Sequence, residues 1–140
     1  TVVGSALAAA GHEIKALDIV LVRAGCDRWI DTAEYMAHGP GVTAGATHWL
    51  YERGVRVMGI DAWGWDRPLW MQAQEAIESG EKGIFWEAHQ ADLAYSQIER
   101  LVNLGSLPPT GFTVSCLPLP LVGGSAAPAR VVAMIDDNHD

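Results

Sequence analysis

Basic residues are scarce in this sequence of 140 residues. There are 9 lysines and arginines against 17 aspartates and glutamates, and the net charge is −8. No basic cluster is available to neutralise phosphate groups. This composition argues against a nucleic-acid partner and against binding to an anionic membrane surface.

Long apolar runs are also missing. The longest candidate, residues 112–122, is interrupted by Pro118 and Pro120, and it is shorter than the roughly 18 residues that a transmembrane helix needs. The N-terminus shows no basic segment followed by an apolar one, as a secretory signal would. We therefore expect a cytoplasmic protein with no membrane partner.

Several reactive or nucleotide-binding patterns are absent. The two cysteines, Cys26 and Cys116, are far apart and form no C-x-x-C motif, which predicts reduced thiols. There is no phosphate-binding glycine loop and no G-x-S-x-G elbow. Ser115 has no base nearby in the sequence, so a nucleophile at Ser115–Cys116 is not favoured.

The residues that are present predict a folded α/β domain, because 49% of them are apolar. Residues 18–23 and 55–60 are short, β-branched and apolar, which is typical of buried strands. Between them, Thr43 is a good N-cap for a helix that ends at Gly54. A helix between two apolar strands predicts parallel, neighbouring strands.

The remaining pattern predicts a mixed sheet with flanking helices in one domain, residues 1–140. We expect a helix over residues 3–10 and another from Pro68 to Ser79. Residues 25–40 predict a long connection with about one helical turn. Further strands are expected at residues 96–101, 112–121 and 129–135, the last two as an antiparallel pair.

The loop after the second strand is a candidate ligand-binding segment. It contains Asp61, Trp63, Trp65 and Asp66, and α/β proteins place ligands beyond the carboxyl ends of parallel strands. Asp61 is expected to make hydrogen bonds at the strand end rather than to bind metal. For Trp63 and Trp65, the alternatives are a substrate wall and ordinary packing.

Histidines are the other candidates. His38 precedes a Gly-Pro-Gly turn and could be functional, whereas a surface or packing role is expected for His48 on the first βαβ helix. His89 and Glu99 stand ten residues apart, close to Phe85, Trp86 and Tyr95 in the sequence. Imidazole and carboxylate suit zinc or manganese, but a catalytic ion needs at least three protein ligands. By their spacing alone, a structural or solvated role is favoured for both.

A family resemblance changes the weight given to this pair. The blocks HEIKALDIVLVRAG, GPGVTAGATHWLYERGVRVMGIDAWGWD, FWEAHQADLAYSQIERLVNLGSLPPTGFTVSCLPLPLVGG and APARVVAMI follow one another along the chain. Their order and content resemble the cyclase family, the metal-dependent hydrolases that include bacterial kynurenine formamidase and isatin hydrolase. The resemblance covers nearly the whole chain and is specific as a set.

The resemblance implies a swivelling β/β/α-type fold, assembled as a homodimer or homotetramer. It implies a divalent ion, zinc or manganese, and hydrolysis of an amide, lactam or related bond in a small molecule. His89 and Glu99 match the family's downstream metal ligands by their neighbours. His89 ends the tripeptide EAH, and Glu99 lies in the segment IERLVNL. Trp63 and Trp65 would then be walls for a flat aromatic substrate.

One family motif does not occur in these residues. H-x-G-T-H-x-D-x-P-x-H supplies most of the metal ligands and the catalytic histidine of the family, and it is not found in this sequence. The chain is therefore expected to be the C-terminal portion of a cyclase-family protein, with activity weakened or lost unless that motif is supplied. The alternative is a non-catalytic structural or oligomerisation module derived from the family.

Overall fold

The computed structural model describes residues 2–135, which divide into two compact units. One unit extends to Gly105 and the other begins at Ser106. The first contains a parallel sheet with helices, and the second contains an antiparallel hairpin. The mixed α/β fold expected from the sequence is confirmed, and the single domain stays a prediction.

The first unit is built on three parallel strands. They are β1 (Ile19–Val22), β2 (Val57–Ile60) and β3 (Ser96–Ile98), with β2 in the centre. The register pairs Ile19 with Val57 on one side of β2 and Val57 with Ser96 on the other. Because all three strands run in one direction, the loops that follow them meet at one edge of the sheet.

Three α-helices belong to this unit: α1 (Val2–Ala9), α2 (Ala44–Glu52) and α3 (Leu69–Ser79). Thr43 caps α2 as predicted, since its side chain accepts a hydrogen bond from the Ala46 amide. Gly80 ends α3 in the left-handed conformation that commonly terminates helices. Local capping residues thus explain why the boundaries predicted for α2 and α3 are close to the observed ones.

The core of the first unit contains residues of α2, of β2 and of the segments beside them. Five side chains there are fully buried, and they are Leu50, Val55, Met58, Ile60 and Trp65. The central strand is therefore buried as expected, because it has a neighbouring strand on each side. β1 is only half-buried, so the prediction of a buried strand over residues 18–23 was wrong in this respect.

The second unit is a hairpin of β4 (Phe112–Pro118) and β5 (Ala129–Ile135), paired antiparallel as predicted. The pairing extends from Phe112 opposite Ile135 to Pro118 opposite Ala129. Pro118 stands at the end of β4, the position at which a residue without an amide hydrogen costs the ladder least.

Two segments differ from the expectation. Residues 25–40 form two short 3-10 helices, Asp27–Trp29 and Ala33–Met36, rather than one turn. The third strand ends at Ile98, although the pairing continues irregularly because the Leu101 amide donates to the Ile60 carbonyl. No helix among the described residues is both long and apolar enough to span a bilayer.

Candidate functional site

A cavity of about 370 Å³ opens at the carboxyl edge of the parallel sheet. The segments that follow β2 and β3 form much of its wall, as expected for a parallel sheet. The Arg100 amide donates to the Ala62 carbonyl at 3.0 Å and holds these two segments together. The lining residues are Met36, His38, Gly39, Ala62, Trp63, Gly64, Asp66, Arg67, Pro68, Leu69, Trp86, His89 and Glu99.

His89 lies in a turn, not on a helix, and it is fixed by Asp66. The ring Nδ1 of His89 is 2.5 Å from Asp66 Oδ2. The same carboxylate accepts the backbone amides of Ala88 at 2.8 Å and His89 at 3.2 Å. The Asp66 side chain is almost fully buried, whereas the His89 ring is half-exposed. Asp66 therefore fixes both the turn and the ring.

A second support for this turn comes from Tyr95. Its hydroxyl donates to the Ala88 carbonyl at 2.8 Å and accepts a hydrogen bond from the Gln97 amide group. Burial raises the pKa of the Tyr95 phenol, so the hydroxyl stays protonated, and able to donate, to a higher pH than an exposed phenol would. The turn that carries His89 is thus held by two side chains. Asp66 accepts its backbone amides, and Tyr95 donates to the Ala88 carbonyl.

Glu99 follows β3 directly and is held by the loop that follows β2. Its Oε1 accepts the backbone amide of Trp65 at 2.8 Å. The Trp65 indole in turn donates to Thr47 Oγ1 at 3.0 Å, and its carbonyl accepts the Val42 amide. Glu99 is consequently tied to helix α2 through a fully buried tryptophan.

The donor set fits part of a divalent metal site. His89 Nε2 lies 3.6 Å from Glu99 Oε1, and both side chains line the cavity. Imidazole nitrogen and carboxylate oxygen are ligands for zinc and for manganese. Residues 2–135 contain no group of three or more His, Cys, Asp or Glu side chains placed to hold an ion. These described residues therefore offer two ligands where a catalytic ion uses at least three.

Trp63 lines the cavity and is held in a defined orientation. The Arg100 guanidinium lies 3.7 Å from the centre of its ring, and Tyr35 meets the ring edge-on at 5.9 Å. Burial, followed by the nearby Asp61 carboxylate, raises the pKa of Tyr35 to about 12. A rigid, half-exposed indole is suited to contact a flat ligand.

Trp65, the other candidate for a substrate wall, lies away from the cavity. It is fully buried and does not line the cavity, so the structure gives no support to a substrate contact by its side chain. Trp86 lines the cavity instead, with about half of its surface exposed. Its backbone amide donates to Gln72 on α3 at 2.7 Å. Sequence reasoning noted Trp86 only as a neighbour of His89.

The other candidate residues, Asp61, His38 and His48, lie in three different surroundings. Asp61 accepts the Ala24 and Gly25 amides at 2.7 Å each, which confirms its strand-end role. His38 lines the cavity, stacks on Trp29 and pairs with Glu34. His48 is exposed on α2, which favours the surface role over the packing role.

Both cysteines are free thiols, which confirms the prediction. Cys26 is buried, and desolvation raises its pKa. Cys116 lies within β4, next to Ser115. β4 belongs to the hairpin unit.

Comparison with known proteins supports the predicted resemblance. Residues 2–67 match the family model described as "Putative cyclase". No curated protein sequence matches the chain significantly. This family match and the solved structures below confirm that the chain resembles the cyclase family.

Three solved structures are similar over most of this chain. Isatin hydrolase A from Labrenzia aggregata is 25% identical, with a TM-score of 0.76, and the match covers 96% of this chain and 52% of that one. Isatin hydrolase A from Ralstonia solanacearum gives the same identity and TM-score, covering 96% and 51%. A potential metal-dependent hydrolase with cyclase activity is 28% identical, with a TM-score of 0.57, covering 87% and 53%.

The chain spans about half the length of these proteins. The comparison therefore confirms the isatin hydrolase-type α/β fold for the matched part. Several expectations stay predictions. They are the identity of the ion, the substrate, the homodimer or homotetramer, the cytoplasmic location and the absence of nucleic-acid and membrane partners. The site roles of His89, Glu99, Trp63 and Trp65 stay predictions as well.

Proposed function

We propose that this chain provides the His89–Glu99 part of a divalent metal site in a hydrolase of the cyclase family. The substrate class is an amide, a lactam or a related cyclic C–N bond of a small molecule. The observation that carries the proposal is the approach of His89 Nε2 to Glu99 Oε1, 3.6 Å apart at the wall of the cavity. The names of the similar structures, isatin hydrolases and a metal-dependent hydrolase, support the same class.

His89 and Glu99 are the residues that would hold the ion. When bound, a zinc or manganese ion supplies Lewis-acid chemistry, polarising a carbonyl group and lowering the pKa of water toward neutrality. The chain's own contribution is to fix the ligands. Glu99 is restrained by the Trp65 amide and His89 by the Asp66 carboxylate, so little side-chain freedom remains to be lost on binding.

The cavity suits a small, flat substrate. Its volume of about 370 Å³ falls in the usual range of about 300–1,000 Å³ for small-molecule sites. Trp63 and Trp86 both line it and are partly exposed. We propose that they replace the predicted pair of Trp63 and Trp65 as the aromatic walls, because the Trp65 indole is committed to Thr47.

Metal titration of the purified chain tests the proposal. We expect zinc or manganese to bind, more weakly than at a site with three or four protein ligands. His89→Ala should lower the affinity at least about tenfold, because it removes the imidazole of the proposed pair of ligands and leaves its carboxylate. Isothermal titration and metal analysis after dialysis measure this directly.

A matched control is His48→Ala, which removes an exposed histidine from α2 and should leave the affinity unchanged. Hydrolysis of isatin and of an N-formyl aryl amide is assayed in parallel with the chain and with any longer form of the protein. Equal metal affinity of the chain and of His89→Ala would contradict the assignment. So would a chain that binds neither ion.

The alternative function is a non-catalytic oligomerisation module. The observation that favours it is the apolar surface of α3, where Leu69, Trp70 and Ile77 are 49%, 54% and 82% exposed. Large exposed apolar side chains are typical of subunit contacts. Sedimentation of the chain and of Ile77→Lys tests it. A monomer that binds metal rejects this alternative, and a metal-free oligomer dissociated by Ile77→Lys supports it.

A further inference from the structure

We propose that Asp66 is a positioning residue that keeps the His89 ring protonated on Nδ1, so that Nε2 faces Glu99 with a free lone pair. The consequence for an ion rests on the proposed function, whereas the position of the ring proton does not. Asp66 stood in a candidate loop by its sequence, but no role was assigned to it. The role follows from contacts between segments that are 22 and 23 residues apart.

The hydrogen bonds of Asp66 determine which ring nitrogen of His89 carries the proton. An ionised carboxylate only accepts hydrogen bonds, and Asp66 accepts the amides of Ala88 and His89. Its Oδ2 is also 2.5 Å from His89 Nδ1. Two acceptors at that distance would repel one another, so Nδ1 must be the donor. A neutral imidazole has only one ring proton, and Nε2 is therefore left as an acceptor.

The second carboxylate beside the ring, that of Glu99, lies too far from Nε2 to compete with Asp66 for the ring proton. Glu99 Oε1 lies 3.6 Å from Nε2, beyond ordinary hydrogen-bond range, and already accepts the Trp65 amide. Asp66 is 4% exposed and Glu99 is 30% exposed. The buried and closer carboxylate therefore has the stronger influence on the ring, because its interaction is less screened by water.

The two positioning contacts come from consecutive residues. The backbone amide of Trp65 restrains Glu99, and the side chain of Asp66 restrains His89. A single loop after β2 thus orients both proposed ligands. Carboxylate partners of this kind typically fix the tautomer of a metal-binding histidine, and their loss weakens metal affinity about 10- to 100-fold.

NMR of the ring nitrogens tests the assignment in the metal-free, isotope-labelled chain, at a pH where imidazole is neutral. We expect the Nδ1–H tautomer for His89. In Asp66→Ala the proton should move to Nε2, because the carboxylate that holds it on Nδ1 is gone and the released ring can turn until Nε2 reaches Glu99. In Glu99→Gln the ring should keep the Nδ1–H form, because Asp66 is still present and Gln can still accept the Trp65 amide.

A matched control is Asp18→Ala. It removes the carboxylate from the His12–Asp18 pair, whose Nε2–Oδ2 distance is 3.0 Å, and should leave the His89 spectrum unchanged. Zinc and manganese titrations of the same four proteins accompany the spectra. Asp66→Ala is expected to lose about 10- to 100-fold in affinity, and Asp18→Ala none.

An Nε2–H tautomer in the unmodified chain would overturn the inference, as would an unchanged tautomer in a folded Asp66→Ala. If Asp66→Ala does not fold, the unmodified chain and Glu99→Gln still decide, since a proton position set by Glu99 would change in the latter. An Nδ1–H ring in a chain that binds neither ion supports the role of Asp66 and rejects the proposed function.

Discussion

Gly41→Ala is the substitution that best tests how the loop carrying Asp66 is built. A Cβ placed on Gly41 would lie 2.7 Å from Arg67 Cα and closer still to Arg67 N. Arg67 directly follows Asp66 in the chain. The neighbouring Val42 amide donates to the Trp65 carbonyl at 2.7 Å, so the two segments are already in tight contact. The added methyl group must therefore displace backbone rather than a flexible side chain.

The loss of unfolding free energy expected for Gly41→Ala has two separable parts. Gly41 has a φ of +63°, a conformation that costs a residue with a Cβ about 1–2 kcal/mol. Overpacking against an immobile neighbour typically adds about 1–3 kcal/mol. Gly80 has a φ of +69°, and a Cβ on it would meet nothing within 4 Å. Gly80→Ala therefore carries the conformational part alone, and the difference between the two variants measures the contact with Arg67.

Urea denaturation of both variants provides the assay. We expect Gly41→Ala to lower the free energy of unfolding by about 2–5 kcal/mol and Gly80→Ala by about 1–2 kcal/mol. Metal affinity should also fall in Gly41→Ala and not in Gly80→Ala, since only the former displaces the Asp66 loop. Losses of stability that agree within about 0.5 kcal/mol would refute the close approach of the two backbones.

Substitutions at two further positions test the surroundings of the site. Thr47→Val should cost about 1–3 kcal/mol of unfolding free energy, because the buried Trp65 indole loses its acceptor. Thr47→Ser keeps the hydroxyl and should cost about 1 kcal/mol. Equal losses of the two variants in denaturation would contradict this hydrogen bond. Tyr35 has a folded-state pKa of about 12, raised from 10.0, so its neutral form contributes stability below pH 10 that is lost as the pH rises toward 12. Tyr35→Phe should remove that alkaline fall in denaturation measurements, and an unchanged pH profile would show that the phenol is not buried as described.

Features that depend on local sequence could be predicted. Thr43 and Gly80 specify helix ends through their own side chain and backbone, so no distant residue is needed to locate them. The strand β2 has an apolar run, and its burial follows from its central place. β1 has a similar run, but it stands at the edge of the sheet and is only half-buried. Strand order, which local pattern does not specify, accounts for that difference.

The two tryptophans of the loop show why site residues are harder to assign. Trp63 and Trp65 are two residues apart and have the same chemistry, yet one lines the cavity and the other is fully buried. The segment is neither helix nor strand, so no periodicity relates their side-chain directions. Thr47 on α2 determines the outcome by accepting the Trp65 indole hydrogen. That partner is 18 residues away and is known only when the fold is known.

Asp66 was missed for the same physical reason, although one signal pointed to it. An aspartate at the carboxyl edge of a parallel sheet must either be solvated or accept hydrogen bonds from neighbouring loops. Asp61 and Asp66 both occupy such positions, and both accept two backbone amides. What distinguishes Asp66 is the additional contact with an imidazole nitrogen. An acidic residue in this loop was therefore foreseeable as a backbone anchor, but the effect on His89 required the fold that brings their segments together.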